Sequence, residues 1–332
     1  MTIRCRAMRP KDVAGAAAIL ASHPVIAARY QNSIDQLHSA WLQLLGCEAF
    51  GGIVFEEFEG DTPRLFAAAA SVFTTHKFVQ ELKAPPFFWI GPELARRVTY
   101  GESPLLSDRE VAAANADGGL NLVLWQLCID AKDTRRDEVR TQVSAAFFDM
   151  HRGFRLKEFI GLQATVLEEP GWTMDGGAFF LSPTDGSYIN TFDMSPDKVL
   201  ATPHVFGLTR ELAHGRMSWI SSLFHYDPPQ IGFSRSEQKL LSAALRGGTD
   251  EELSDELVIS LSAVKKAWSS VYDRAAEHLP DSILAVETEE ERRNGDRGKQ
   301  KKQRLLAYLR EHPEELRPCA RRTREESPAT SV

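Results

Sequence analysis

Residues 119–130 read "GLNLVLWQLCID", ten residues from Leu120 to Ile129 with no charge among them. Gly118 and Gly119 precede the run and Asp130 closes it. A continuous apolar stretch bounded in this way suits a strand buried on both faces, at the centre of a sheet. It falls short of the ~18 apolar residues that a membrane-spanning helix needs, and so does "LFAAAASVF" upstream.

Working outward, the order of patterns predicts an α/β domain. Downstream, "DEVRTQVSAAFFDMHRG" has helical spacing, with Val139, Val143, Ala146, Phe147 and Met150 on one side and Gly153 as its stop. "FRLKEFIGLQATVLEE" then reads as the next strand. Upstream, "FGGIVFEEF" and "RLFAAAASVFTTH" read as two strands joined by the turn "EGDTP". Before them, the short extended "IRCRAM" leads into "DVAGAAAILASHPVIAARY", a helical pattern started by Pro10 and Asp12. The resulting order, β-α-β-β-β-α-β, predicts helices around a mixed sheet over residues 1–182.

The rest of the chain has a different texture. Residues 183–230 read as a connection, with a helix over "LTRELAHGRMSWISSLFHY" ended by "DPPQ". Residues 231–286 predict an all-α domain. Ser234 and Glu237 make a capping-box pair, Gly247 and Gly248 end that helix, Thr249 caps a second, and Ser260 or Ser262 caps a third. Residues 287–332 form a charged arm with one short helix.

Bulk properties narrow the class. Of 332 residues 43% are hydrophobic and 26% charged, which suits a soluble chain. A net charge of -7 argues against a uniformly basic surface. The four cysteines are far apart, so neither a disulfide framework nor a zinc site is expected. The opening "MTIRCRAMRPKD" lacks the apolar core of a signal peptide, and a cytoplasmic location without membrane attachment follows as an expectation. His76, His151, His204, His214 and His225 are scattered with no catalytic spacing, so no catalytic or metal-ligating residue is predicted.

In residues 233–275 the stretches "FSRSE", "LRGGT", "ISLSAVKKA" and "VYDRA" fall at gapless spacing, and together they resemble the DNA-binding domain of LuxR-type transcriptional regulators. The resemblance implies a helix-turn-helix that reads duplex DNA, with the chain acting as a homodimer. It places Lys265, Lys266 and Ser269 toward the major groove, and Ser262 and Arg274 near the backbone. The family's Thr and His on the recognition helix are Ala263 and Ala267 here, and Asp250 and Glu251 put negative charge where a phosphate would approach. Residues 233–281 hold six basic side chains against nine acidic ones, whereas residues 292–324 hold twelve Lys/Arg against four Asp/Glu. Arg292, Arg293, Arg297, Lys299, Lys301, Lys302 and Arg304 are therefore expected to supply phosphate contacts from the arm.

Residues 3–168 resemble the GNAT acetyltransferase fold, through "IRCRAMRPKDVAGAAAIL" and through "HRGFRLKEFIG" with its Gly153-Phe154-Arg155. That family holds the pyrophosphate of acetyl-CoA on backbone amides in a loop of pattern Arg/Gln-x-x-Gly-x-Gly/Ala. The corresponding "DAKDTRRDEVRTQVSAAF" has no glycine, and Asp137 and Glu138 oppose Arg135, Arg136 and Arg140. The resemblance then implies a domain that senses a small-molecule effector or dimerises, with no cofactor and no enzymatic activity. The alternatives are a CoA-dependent N-acyltransferase, or a protein-interaction module whose helix-turn-helix has lost DNA.

Overall fold

The computed structural model describes residues 3–22, 24–30, 33–59, 62–130, 136–163, 179–182, 185–189, 204–279 and 297–320. The chain divides into two compact units, Met1–His225 and Tyr226–Val332. No helix among the described residues is long and apolar enough to cross a membrane.

The first unit is built on a mixed sheet of eight strands in the order β1-β2-β3-β4-β5-β8-β6-β7. The strands are β1 (Ile3–Ala7), β2 (Phe50–Glu59), β3 (Thr62–Thr74), β4 (Leu120–Ile129), β5 (Leu156–Gln163), β6 (Phe179–Leu181), β7 (Tyr188–Ile189) and β8 (His204–Thr209). The apolar run at Leu120–Ile129 is an interior strand, as its composition predicts. The β4/β5 pair is parallel and the other pairs are antiparallel. A parallel pair needs a crossover, and α7 (Arg136–His151) provides it.

Helices cover both faces. Helices α1 (Pro10–Ser22), α2 (Pro24–Tyr30), α3 (Ile34–Leu44), α4 (His76–Lys83) and α5 (Ile90–Thr99) pack over one face with Val54, Val72, Val123 and Ile160. On the other, α6 (Asp108–Ala116) and α7 pack with Phe73, Leu122, Phe159 and Phe206. The helical spacing read across 12–30 is divided between α1 and α2. Pro24 lacks the amide that would continue the first helix, and it starts the second.

The helix predicted from Leu208 onward is corrected. Leu208 and Thr209 belong to β8, where they pair with Phe159 and Glu158 of β5. Only Arg210–Ala213 is helical (α8), capped by Thr209 Oγ1 accepting from the Leu212 amide at 3.2 Å. Gly215 then takes a positive φ, and a 3₁₀ turn at Ser221–Phe224 ends the segment. Strand pairing with β5 overrides the local helical pattern there, so part of the expected connection belongs to the sheet.

Among the described residues the second unit is helical throughout: α9 (Arg235–Leu245), α10 (Asp250–Leu257), α11 (Leu261–His278), α12 (Arg297–Glu311) and a 3₁₀ turn at Pro313–Leu316. The capping boxes Ser234/Glu237 and Thr249/Glu252 both form, and Ser260 caps α11. Val258 turns the chain between α10 and α11 in the left-handed region, where a β-branched residue is rare. Its amide closes α10 by donating to the Ser254 carbonyl.

The arm is not extended along its whole length. From α12, Leu305, Leu306 and Leu309 are buried with Leu240, Leu241, Val264 and Val271 in the core of this unit. Glu315 fastens its end: its two carboxylate oxygens accept from the amides of Gln230 at 2.7 Å and Ile231 at 3.0 Å.

Candidate functional site

Among the described residues, the ladder between β4 and β5 stops short of the ends of both strands. Their ladder runs from Leu120/Leu156 to Val123/Ile160. Beyond it, β4 continues for six residues and β5 for three with no pairing between them. Each strand keeps its outer neighbour over this stretch. Strand β4 stays paired with β3 as far as Ile129/Ala67, and β5 with β8 as far as Gln163/His204. Two inner backbone edges are thus held apart by a sheet that is otherwise continuous. In open α/β sheets this is where ligands bind, outside the carboxyl ends of parallel strands.

A bulge marks the same place. Ala70 faces Gln126 and Ser71 faces Leu124, so Trp125 is an extra residue in β4. Its indole Nε1 donates to the Gly91 carbonyl at 3.1 Å, which fixes the start of α5 over the bulge. Trp41 and Phe50 meet the same indole edge-on, at 6.2 and 6.1 Å. The Tyr30 hydroxyl donates to Gln126 Oε1 at 3.3 Å. Burial holds the Tyr30 phenol well above its ordinary range, so it stays protonated at neutral pH. A Cβ on Gly91 would fall 2.1 Å from the Tyr30 hydroxyl, so that position requires glycine. In β5, Gly161 accommodates the Phe206 ring, which a Cβ would meet at 2.5 Å.

Among the described residues, Cys128 and His151 are both engaged within the fold. Burial pushes the Cys128 thiol up to about 12, and its Sγ lies 3.6 Å from the Ile19 carbonyl. His151 is buried with its ring clamped: Nδ1 donates to the Phe147 carbonyl and Nε2 accepts from the Ser71 hydroxyl, both at 2.8 Å. Among the described residues no group of His, Cys, Asp or Glu could hold a metal ion.

The glycine-free segment that the sequence sets against the family's phosphate loop lies largely outside the described residues. Arg135 lies outside the described residues, and so do the side chains of Arg136, Asp137, Glu138 and Arg140.

Four of the residues expected to meet DNA lie together on one helix, and the others have separate surroundings. Ser262, Lys265, Lys266 and Ser269 are exposed on α11. Arg274 instead donates to the buried Glu237 carboxylate at 3.0 Å. In the arm, Lys302 bonds Asp250 at 3.0 Å and sits 4.7 Å from the Trp268 ring centre, while Lys301 sits 4.8 Å from that of Tyr272. Arg304 is half-buried in α12. Arg292 and Arg293 lie outside the described residues, as do the side chains of Arg297 and Lys299.

No protein-family model matches the chain, and no curated protein matches it. Among solved structures, it is similar to a chimera of the Vibrio cholerae spermidine N-acetyltransferase SpeG with hSSAT. Identity is 11%, with 65% of this chain and 100% of that chain covered and a TM-score of 0.35. A second such chimera matches at 11% identity, 63% and 96% coverage and TM-score 0.33. A mutant of the V. cholerae enzyme matches at 11%, 62% and 94%, and 0.31.

These neighbours are acetyltransferases, and the expectation of a DNA-binding transcriptional regulator is withdrawn. No family match supports a LuxR-type domain. Physically, Arg274, Lys301 and Lys302, three of the cations meant for phosphate, are already engaged inside the second unit.

The opening between β4 and β5 was not foreseen, because periodicity reports which face a residue occupies and not where a ladder ends. Gly161 within "KEFIGLQ" was the available signal. A glycine inside a strand pattern marks a bulge or a close approach.

Proposed function

We propose that the first unit is a GNAT-like acyl-transfer domain. It would accept an acyl thioester of the acetyl-CoA kind in the opening between β4 and β5 and pass the acyl group to a primary amine. One observation carries the reading: two parallel strands part after Val123/Ile160 while each stays hydrogen-bonded on its outer side. Inner edges of this kind present amide N–H and carbonyl groups that need partners. An extended ligand arm with amides of its own satisfies them as an added strand would. The pantetheine arm of CoA is such a ligand.

The chemistry is an aminolysis. The amine nitrogen attacks the thioester carbonyl, the C–S bond breaks, and the thiolate leaves and takes up the proton lost by the amine. The bulge at Trp125 and the fixed start of α5 give this site a rigid wall, while the protonated Tyr30 phenol orients Gln126. The absence of glycine from the connection after β4 removes close backbone approach to a pyrophosphate, so the arm would carry most of the binding.

Thermal unfolding with added acetyl-CoA or S-acetyl-pantetheine tests the reading. Ligand at a hundredfold over Kd adds about 2.7 kcal/mol, a rise of several degrees. Both thioesters are expected to raise Tm to a similar degree, and thiol release should follow when amines, spermidine among them, are added. No shift with either thioester would sink the proposal.

A further inference from the structure

Beyond its ladder with β5, the direction of each backbone group of β4 follows from the pairing with β3. The Asp130 amide donates to the Phe66 carbonyl at 2.7 Å. These two residues continue the register Ile129/Ala67, Cys128/Ala68 and Leu127/Ala69. In an antiparallel pair, hydrogen-bonded rungs alternate with rungs whose amides and carbonyls point outward. Asp130 and Cys128 therefore bond toward β3, whereas Leu127 and Ile129 turn their amides and carbonyls to the β5 side. No ladder meets them there, since the β4/β5 pairing stops at Val123/Ile160.

Gln126 covers one of these outward groups. Its Nε2 donates to the Leu127 carbonyl at 3.0 Å, while its Oε1 accepts from the Tyr30 hydroxyl at 3.3 Å. The carbonyl can only accept, which fixes the way the side-chain amide is turned. Gly91 of α5 lies behind it, where a Cβ would come within 3.3 Å of Gln126 Oε1. The side chain thus spans from the buried phenol to the rim of the opening, and it sits on an acceptor that an added strand would use.

We propose that Gln126 is a resident competitor in the opening and sets which extended arms bind there. Its Nε2 occupies the place of a ligand amide N–H on the Leu127 carbonyl. An incoming arm reaches that carbonyl only by displacing the side chain. An arm with an amide N–H replaces the bond it breaks, whereas an arm without one leaves the carbonyl bare. Such an exchange discriminates by what the wrong ligand leaves unpaired. The inference rests on the acyl-transfer reading for the identity of the arm.

Calorimetric titration of the full chain tests this with two ligands: S-acetyl-pantetheine, and its analogue with an ester oxygen in place of each amide N–H. Gln126→Met keeps the length of the side chain and removes its donor. It should tighten S-acetyl-pantetheine about 3–10-fold, the worth of one net hydrogen bond, and leave the ester analogue no tighter. Tyr30→Phe loosens the same amide from its other end and should give a smaller gain with the same preference. It carries the test should Gln126→Met fail to fold. Unchanged or weaker binding of S-acetyl-pantetheine by the variants, with the parent binding it, overturns the role of Gln126 and spares the acyl-transfer reading. An equal gain for both ligands also overturns it, because extra room and not a freed carbonyl then explains the effect. Binding by neither parent nor variants sinks the acyl-transfer reading, and this inference with it.

Discussion

The two units both bury carboxylates, and they satisfy them from different sources. In the sheet unit the partner is chiefly a side chain from a neighbouring element, although Asp12 also accepts from the Arg9 amide at 2.8 Å. Arg6 of β1 donates to Asp12 of α1 at 2.9 Å and to Glu56 of β2 at 2.8 Å, and Arg64 of β3 donates to Glu57 of β2 at 2.6 Å. In the helical unit backbone amides at the entrances of elements do much of this work. Glu237 accepts from the Ser234 amide at 2.6 Å, and Glu315 from two amides of the segment before α9. The difference follows from what each element leaves unpaired. A helix start exposes amides with no intrahelical acceptor, whereas interior strands use up their amides in the ladder and leave a buried charge only side chains to pair with.

That contrast predicts unequal costs. Arg6→Ala strands Glu56 at 5% exposure and leaves Asp12, at 7%, with only the Arg9 amide, and breaking such a group should cost about 3–5 kcal/mol. Urea unfolding with a probe of the sheet unit measures it, and a loss below about 1 kcal/mol would erase the distinction. Glu237→Ala removes a cap and orphans Arg274, for an expected ~2 kcal/mol confined to the helical unit. Trp268, the helical unit's one tryptophan, lies in its core, and its fluorescence should report that change.

The Glu237 contribution should also depend on acid. Burial would raise its carboxyl, but the Ser270 hydroxyl and the Ser234 amide outweigh burial and hold it below the usual carboxylate range. Its contribution is therefore present above the unfolded value near 4.5 and is lost as pH falls through the lower folded value. Glu237→Ala and the parent should converge in that acid window.

The smallest effect belongs to Lys302→Ala. It loses a partly exposed pair with Asp250 and a contact with the Trp268 ring, about 0.5–1 kcal/mol in all. A larger loss would mean that α12 depends on side-chain charge as the sheet unit does.

Legibility follows the same division. Ser234, Thr249 and Ser260 cap helices where their spacing predicts, because a cap is a contract between residues three apart. Strands β6, β7 and β8 were missed, since their partners are remote in sequence and "LTRELA" carries a helical pattern of its own. The basic arm carries two signals at once. Its lysines mark charge, and Leu305, Leu306 and Leu309 among them bury one side of α12 in its own unit. For the candidate site, the apolar run of β4 and the glycine of β5 were visible. The place where the two strands part is a fact of pairing, and no single segment encodes it.

The sheet ends in β7, two residues long, on one side and in β1, with exposed Arg4 on it, on the other. Short or charged margins deter a passing strand from adding to a sheet. Among the described residues, the chain guards its rims and leaves its vacancy indoors. On the proposed reading, an extended ligand seeking backbone to pair with would find it at the seam after Val123 and Ile160 and not at these margins.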